Sequence, residues 1–222
     1  MKIRLSIILF FVVSGAFSQS PLNEYYFPKY SNDVARIYKY VNKKDSTDFY
    51  YWKVKYNETR DELITEGYTK ELFKFNYFVE KFNETGTKVT EFIDYQKLPI
   101  GLSKSHVGEI LEDDVFKWND DIEYAYKVNI NGEYGKSTYF KERKFIGYEK
   151  VEINGKEFYC IKFLEDYKNI YHDQNDTIEF YQITYYAHEL GMVKCTKYYY
   201  NQVFDYNLTD ILDEKEFESL EN

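Results

Sequence analysis

Strict alternation of apolar and polar side chains dominates the chain. In residues 48–56, Tyr50, Trp52, Val54 and Tyr56 share one face while Lys53 and Lys55 take the other. In 71–82, Phe73, Phe75, Tyr77 and Val79 alternate with Lys74, Asn76 and Glu80. A period of two is the signature of strands, so both segments, together with 61–69 and 87–95, are predicted as an antiparallel meander. Asn83-Glu84-Thr85-Gly86 supplies a hairpin turn between the last two strands. The second half repeats the pattern. Tyr124, Tyr126, Val128 and Ile130 alternate ahead of Asn131-Gly132 and a strand over 133–141, and residues 145–153 and 156–164 flank Asn154-Gly155. Asn-Gly pairs favour type I′ turns, because both residues tolerate positive φ. A polar loop, Asp166 to Asp176, then leads into Thr177–Asn201, two aromatic-rich strands reversed at Glu189-Leu190-Gly191. In that hairpin Tyr181, Ile183 and Tyr185 read as one buried face.

Three segments carry helical spacing instead. Val34, Ile37, Tyr38 and Val41 follow the cap sequence Ser31-Asn32-Asp33. Val107, Ile110 and Leu111 follow Ser103 and Ser105 and predict a short helix or ordered connection, and 210–217 predicts a last helix capped by Asp210. Pro21 and Pro28 keep the lead-in over 19–30 extended. No linker divides the chain, so residues 19–222 read as a single domain. Several strands carry aromatics on both faces, as at Phe180 with Tyr181, Tyr185 with Tyr186, and Tyr198 to Tyr200. That favours a mainly β fold: one curved antiparallel sheet or open half-barrel of roughly nine or ten strands with one to three short helices, one face lining a concavity.

The first residues change the picture of location. A basic start at Lys2 and Arg4, an apolar run to Val13 and small residues at Ala16 and Ser18 make a signal peptide over 1–18. The protein is therefore expected to be exported, to the periplasm or the cell exterior. No membrane span is expected after signal removal, and with no cysteine near the cleavage point no lipid anchor either. The chain carries −9, and loss of Lys2 and Arg4 leaves about −11, a balance that repels phosphate backbones and argues against nucleic acid as a partner. Aromatic residues at 21% give the chain the means to bury a core. Cys160 and Cys195 are an even pair in an oxidising compartment, which admits a disulfide. In an up-and-down strand order, however, their Cα atoms would lie about 10 Å apart, beyond disulfide reach. Two buried thiols are the alternative.

Motifs that perform chemistry are missing from the sequence. It has no Gly-x-Ser-x-Gly elbow, no phosphate-binding glycine loop and no His-Glu-x-x-His. His106, His172 and His188 have no partner histidine at i+2 or i+4, so no catalytic, metal or cofactor residue is assigned. Glu112-Asp113-Asp114 with Asp120-Asp121 reads as a solvated acidic loop or a loose calcium site. Sequons at Asn57, Asn83, Asn175 and Asn207 mark expected exposed turns. The 26 tyrosines either fill the core or present rings and hydroxyls to a ligand.

The elements Gly155-Lys156-Glu157-Phe158-Tyr159-Cys160-Ile161-Lys162 and Tyr185-Tyr186-Ala187-His188-Glu189-Leu190-Gly191-Met192-Val193-Lys194, with a late strand at Leu208, resemble the TapB-like families of bacterial envelope proteins of unknown function. The resemblance covers about residues 145–212. Those families are similar in fold to the outer-membrane lipoprotein carriers, which implies a half-barrel closed by helices and brings no catalytic residues with it. The expected function is that of an exported non-enzymatic binding or carrier module, with an aromatic concave face for an apolar or partly apolar ligand or an envelope protein. A structural or adhesive envelope component acting through protein contacts is the alternative.

Overall fold

Alternating aromatic segments build almost the whole molecule. In the computed structural model, residues 22–29, 34–99, 101–119 and 123–221 are described. The expected signal peptide over 1–18, the Ser31–Asp33 cap and Asp120–Asp121 lie outside them. Thirteen strands follow a short 3-10 turn at Leu22–Tyr25. They are β1 (Ala35–Asn42), β2 (Asp45–Asn57), β3 (Glu62–Thr69), β4 (Lys74–Asn83), β5 (Gly86–Lys97), β6 (Ser103–Val107), β7 (Glu109–Lys117), β8 (Tyr124–Gly132), β9 (Gly135–Ile153), β10 (Lys156–Tyr171), β11 (Asp176–Ala187), β12 (Gly191–Tyr199) and β13 (Gln202–Leu212). A five-residue helix, α1 (Glu214–Glu218), ends the chain with a further 3-10 turn.

The sheet closes on itself. Each strand pairs antiparallel with the next from β1 to β5 and from β7 to β13, β5 pairs with β7, and β13 returns to β1 through Ile37 opposite Leu212. The result is a closed barrel of 12 strands with β6 as an extra strand on β5. This corrects the expected open half-barrel of nine or ten strands, although the mainly β character stands. The segments read as helical are the ones that close the ring. The segment read as the first helix falls in β1, which bridges β2 and β13, and the second in β6 and β7, of which β7 bridges β5 and β8. Read as helices, they would leave two separate meanders with open edges. The helical spacing in β1 arises from burial on both faces. Ile37 packs outward under α1 while Tyr38 packs into the lumen, and both are fully buried, so the strand shows no clean alternation.

Because the strands are antiparallel, successive turns fall at alternate ends. The turns at 43–44, 70–73, 98–102, 133–134, 172–175 and 200–201 lie at one end, and those at 58–61, 84–85, 154–155 and 188–190 at the other, with the entry of the chain into β1. Asn154 (φ 52°) and Gly155 (φ 75°) form the two-residue reversal that their identities require. The Asn131-Gly132 pair stays in β8 instead, and the turn comes two residues later at Glu133-Tyr134, with Gly132 opposite Gly135. The loop expected over 166–176 shrinks to four residues, since β10 runs on to Tyr171 and pairs with β11 throughout.

The main core fills the barrel, with Tyr38, Tyr40, Leu63, Phe116, Phe163 and Tyr186 packed together. Three smaller clusters accompany it, of which one gathers Val89, Phe92, Val115, Val128 and Ile130 and two lie elsewhere. One joins Ile37 and Tyr51 to Phe217 of α1; the other joins Val151, Ile153, Cys160, Tyr185, Ala187 and Val193. Asp213, not Asp210, caps α1. Its side chain accepts from the Glu216 N–H while Glu216 accepts from the Asp213 N–H, a full capping box. Asp210 sits in β13 opposite Lys39.

Candidate functional site

The segment before β1 stoppers one end of the barrel. Tyr26 enters the lumen with its ring centroid 4.5 Å from that of Phe116 and stacked at 6.1 Å on Tyr186. Its hydroxyl donates to the Glu80 carboxylate, 2.7 Å from either oxygen. Phe27 packs edge-on to Tyr38 and lies against Gly191, where no Cβ would fit. Outside the barrel the segment is fastened by the Glu189 N–H donating to the Glu24 carbonyl at 2.8 Å, and by Lys29 paired with Asp61 at 2.7 Å.

Above the stopper, β9, β10 and β11 place a charged cluster inside the wall. Lys141 and Arg143 fall on the inward parity of β9, in phase with Tyr139 and Phe145. Glu165 falls on that of β10, in phase with Phe163 and Tyr167. Glu165 is fully buried and meets Arg143 at 2.5 Å and Lys141 at 2.9 Å. It also accepts from Tyr167, Gln182 and Thr184 at 2.9, 2.7 and 3.0 Å. Arg143 donates to the Val115 carbonyl and the Tyr186 hydroxyl and lies among the rings of Phe116, Phe163 and Tyr186.

Two equally buried acids therefore behave oppositely. For Glu165, burial pushes the carboxyl up, but the two cations outweigh it and leave it at about 2. For Glu80, burial dominates and the carboxyl is raised, with Thr87 and Tyr26 only partly offsetting it through hydrogen bonds. Burial likewise brings Lys141 down to about 8, Arg143 adding to the effect and Glu165 opposing it.

A cavity of about 540 Å³ fills the rest of the lumen. It runs from Tyr26 and Glu80 at the stopper to Gln96, Ser137 and Tyr171 beside the turns of the opposite end. Aromatic side chains of β2, β4 and β5, among them Tyr50, Trp52, Phe78 and Phe92, form one wall. Lys141, Glu165, Gln182 and Lys197 from β9 to β12 give the other a polar character. Thr65 Oγ1 and Asn76 Oδ1, both on residues that line the cavity, are buried and have no hydrogen-bond partner among the described residues.

The residues singled out in the sequence are dispersed. Cys160 and Cys195 are free and buried. Cys195 lines the lumen, whereas Cys160 belongs to the separate Val151–Val193 cluster, and burial pushes both thiols up to about 12. In the Thr177–Asn201 hairpin, Phe180, Gln182 and Tyr186 line the lumen; of the face read as buried, Tyr185 is buried but Tyr181 is exposed. His172 contacts Thr138 at 2.8 Å, His188 contacts Glu24 at 2.8 Å, and His106 lies on β6. Glu112-Asp113-Asp114 is part of strand β7, with Asp113 paired to Lys88 and Asp114 to Lys117. Asn207 lies within β13, not in a turn. Among the described residues, no group of three or more His, Cys, Asp or Glu is placed to hold a metal. Glu80, read as part of the polar face of its strand, turns into the lumen with Asn76, and the buried charges Lys141, Arg143 and Glu165 went unnoticed in the sequence. Their signal is a charge at the inward parity of an otherwise aromatic strand.

Comparison with known proteins follows the same lines. No curated protein matches the chain. A predicted lipoprotein from Parabacteroides distasonis is similar in structure, with a TM-score of 0.52 at 14% identity over 84% of this chain and 97% of that one. A predicted exported protein with YmcC-like fold from Bacteroides fragilis is similar to the same degree, with a TM-score of 0.52 at 15% identity over 84% and 98%. The TapB-like name does not emerge from these comparisons. By fold the chain is similar to these two proteins, and residues 106–204, from β6 into β13, match the model of the DUF3108-like family.

Proposed function

We propose that the protein is an exported, non-enzymatic binding module that holds a partly apolar molecule inside its barrel. The observation that supports this is the stoppered cavity: about 540 Å³, lined by aromatic rings with polar and charged side chains set among them, within the ~300–1,000 Å³ of small-molecule sites. The unpaired Thr65 and Asn76 atoms are the sort of placed polar groups that orient a ligand. Export is supported by the leader-like residues 1–18 and by the exported or lipoprotein character given to the two structural neighbours. Native mass spectrometry of the protein purified from its own source tests the reading. A bound small molecule is expected, released on unfolding and lost in Ser137→Trp, which narrows the open end. A wild-type protein that carries nothing and takes up no apolar probe would sink the proposal.

A second reading, an envelope component acting through protein contacts, is favoured by β6. Among the described residues that strand pairs only with β5, leaving its other edge without a strand partner, and it exposes Val107 (75%); such an edge is a template for another strand. It predicts a stable protein partner in pull-downs, lost in Val107→Lys.

A further inference from the structure

Three cationic side chains line the cavity, and two of them are already committed. Lys141 and Arg143 share Glu165. The third, Lys197 of β12, faces the lumen between its cross-strand neighbours Gln182 and Phe204. No carboxylate among the described residues pairs with it. Its ammonium lies 3.9 Å over the ring of Phe180, a cation–π contact that leaves its N–H donors without an anionic acceptor. The acids of the lumen are taken elsewhere. Glu165 is held by two cations, Glu80 accepts from Tyr26 and Thr87 at the stopper, and Asp94 accepts from Gln96. Burial lowers the lysine's proton affinity, the cost a desolvated cation bears until an anion joins it. Lys197 stands close to the turn at 200–201, at the end opposite the stopper, and the rings of Tyr50, Trp52 and Phe78 line the cavity between it and Tyr26.

We propose that the lumen selects amphiphiles with one anionic head, which Lys197 anchors near the mouth while the apolar body lies along the aromatic wall. This rests on the lumen-binding reading above. A carboxylate and a phosphate offer the ammonium the same chemistry.

The test compares dodecanoate, dodecyl phosphate and the neutral dodecanol on the full chain, read by titration of Trp fluorescence and by native mass spectrometry. The wild type is expected to prefer dodecanoate over dodecanol by roughly tenfold or more, the worth of a charge-assisted hydrogen bond. Lys197→Met should erase that preference while still binding dodecanol, and Lys197→Arg should keep it. A preference shared by dodecyl phosphate extends the role to anions in general, and one confined to dodecanoate narrows it to carboxylates; either result supports the proposal. Equal binding of dodecanoate and dodecanol by the wild type, or a preference that survives in Lys197→Met, overturns it and leaves the lumen as a neutral site. Binding of none of the three by a folded wild type overturns the lumen reading itself. Near-ultraviolet circular dichroism confirms that each variant is folded, and the Arg variant remains decisive if the Met variant is not.

Discussion

Arg143 and Glu165 meet at 2.5 Å inside the barrel wall with side chains only 4% and 0% exposed. A pair this deep is costly to form and more costly to halve. Glu165→Ala strands two buried cations and is expected to cost roughly 3–5 kcal/mol in urea unfolding. Replacing Arg143 and Glu165 together by apolar residues should cost less than the sum of the single changes, because only Lys141 is then left without its acid partner.

The same pair sets an acid limit. The Glu165 carboxyl sits at about 2 in the fold against 4.5 as its ordinary value, so the unfolded chain binds the proton first. Its contribution, on the order of 3 kcal/mol, is complete above about pH 4.5 and is lost as pH falls toward 2. Glu80 works in the opposite sense, since its raised carboxyl favours the fold on protonation. The difference between wild type and Glu165→Gln in unfolding free energy across pH 2–5 isolates Glu165, and it should shrink steadily on acidification.

Tyr26→Phe removes the hydroxyl that serves Glu80 and leaves that carboxylate with Thr87 as its remaining side-chain donor. A loss of roughly 1–3 kcal/mol is expected from an under-satisfied buried acid. Glu80→Gln in the same background should restore part of it by removing the charge, measurable as a rise in the thermal midpoint.

Both cysteines should be silent in the native protein. Their thiols are buried and pushed up to about 12, and the thiolate is the reactive form. Iodoacetamide at pH 8 is expected to leave the folded chain unmodified and to label Cys160 and Cys195 once it is unfolded, as read by intact mass. Fast labelling of either residue in the folded state would show the barrel to be looser than described.

Gly191 has φ +87°, and a Cβ there would meet the Phe27 ring at 2.5 Å; Gly155 has φ +75° with nothing in reach. Gly155→Ala should cost only the left-handed backbone term, roughly 1–2 kcal/mol. Gly191→Ala should cost more and also loosen the stopper, visible as faster hydrogen exchange of the Glu189 amide that bonds to Glu24.

Most strands were legible because one face is wet. Tyr50 and Trp52 of β2 point into the lumen while Lys53 and Lys55 do not, and period two survives. Legibility failed in β1, where both faces are covered, and in β6 and β7, which are largely exposed and carry no clean period of two. Ile37 and Tyr38 are both buried, which mimics a helical stripe, and misreading β1 and β7 turned a closed ring into an open sheet. The candidate site was harder to read. Aromatic walls were anticipated in kind, but Glu165 draws its partners from β9 and β11, and no local pattern announces a contact made across strands.

The seam between β1 and β13 has a consequence for how the protein comes into being. The two strands lie near opposite ends of the chain, so the ring is completed only when Gln202–Leu212 is available. Until then β1 and β12 each present an unpaired edge, and the slowest, most distant pairing remains to be made. Barrel closure is thus tied to β13: until that strand is made, the ring around the lumen stays incomplete, however much of the sheet has already assembled.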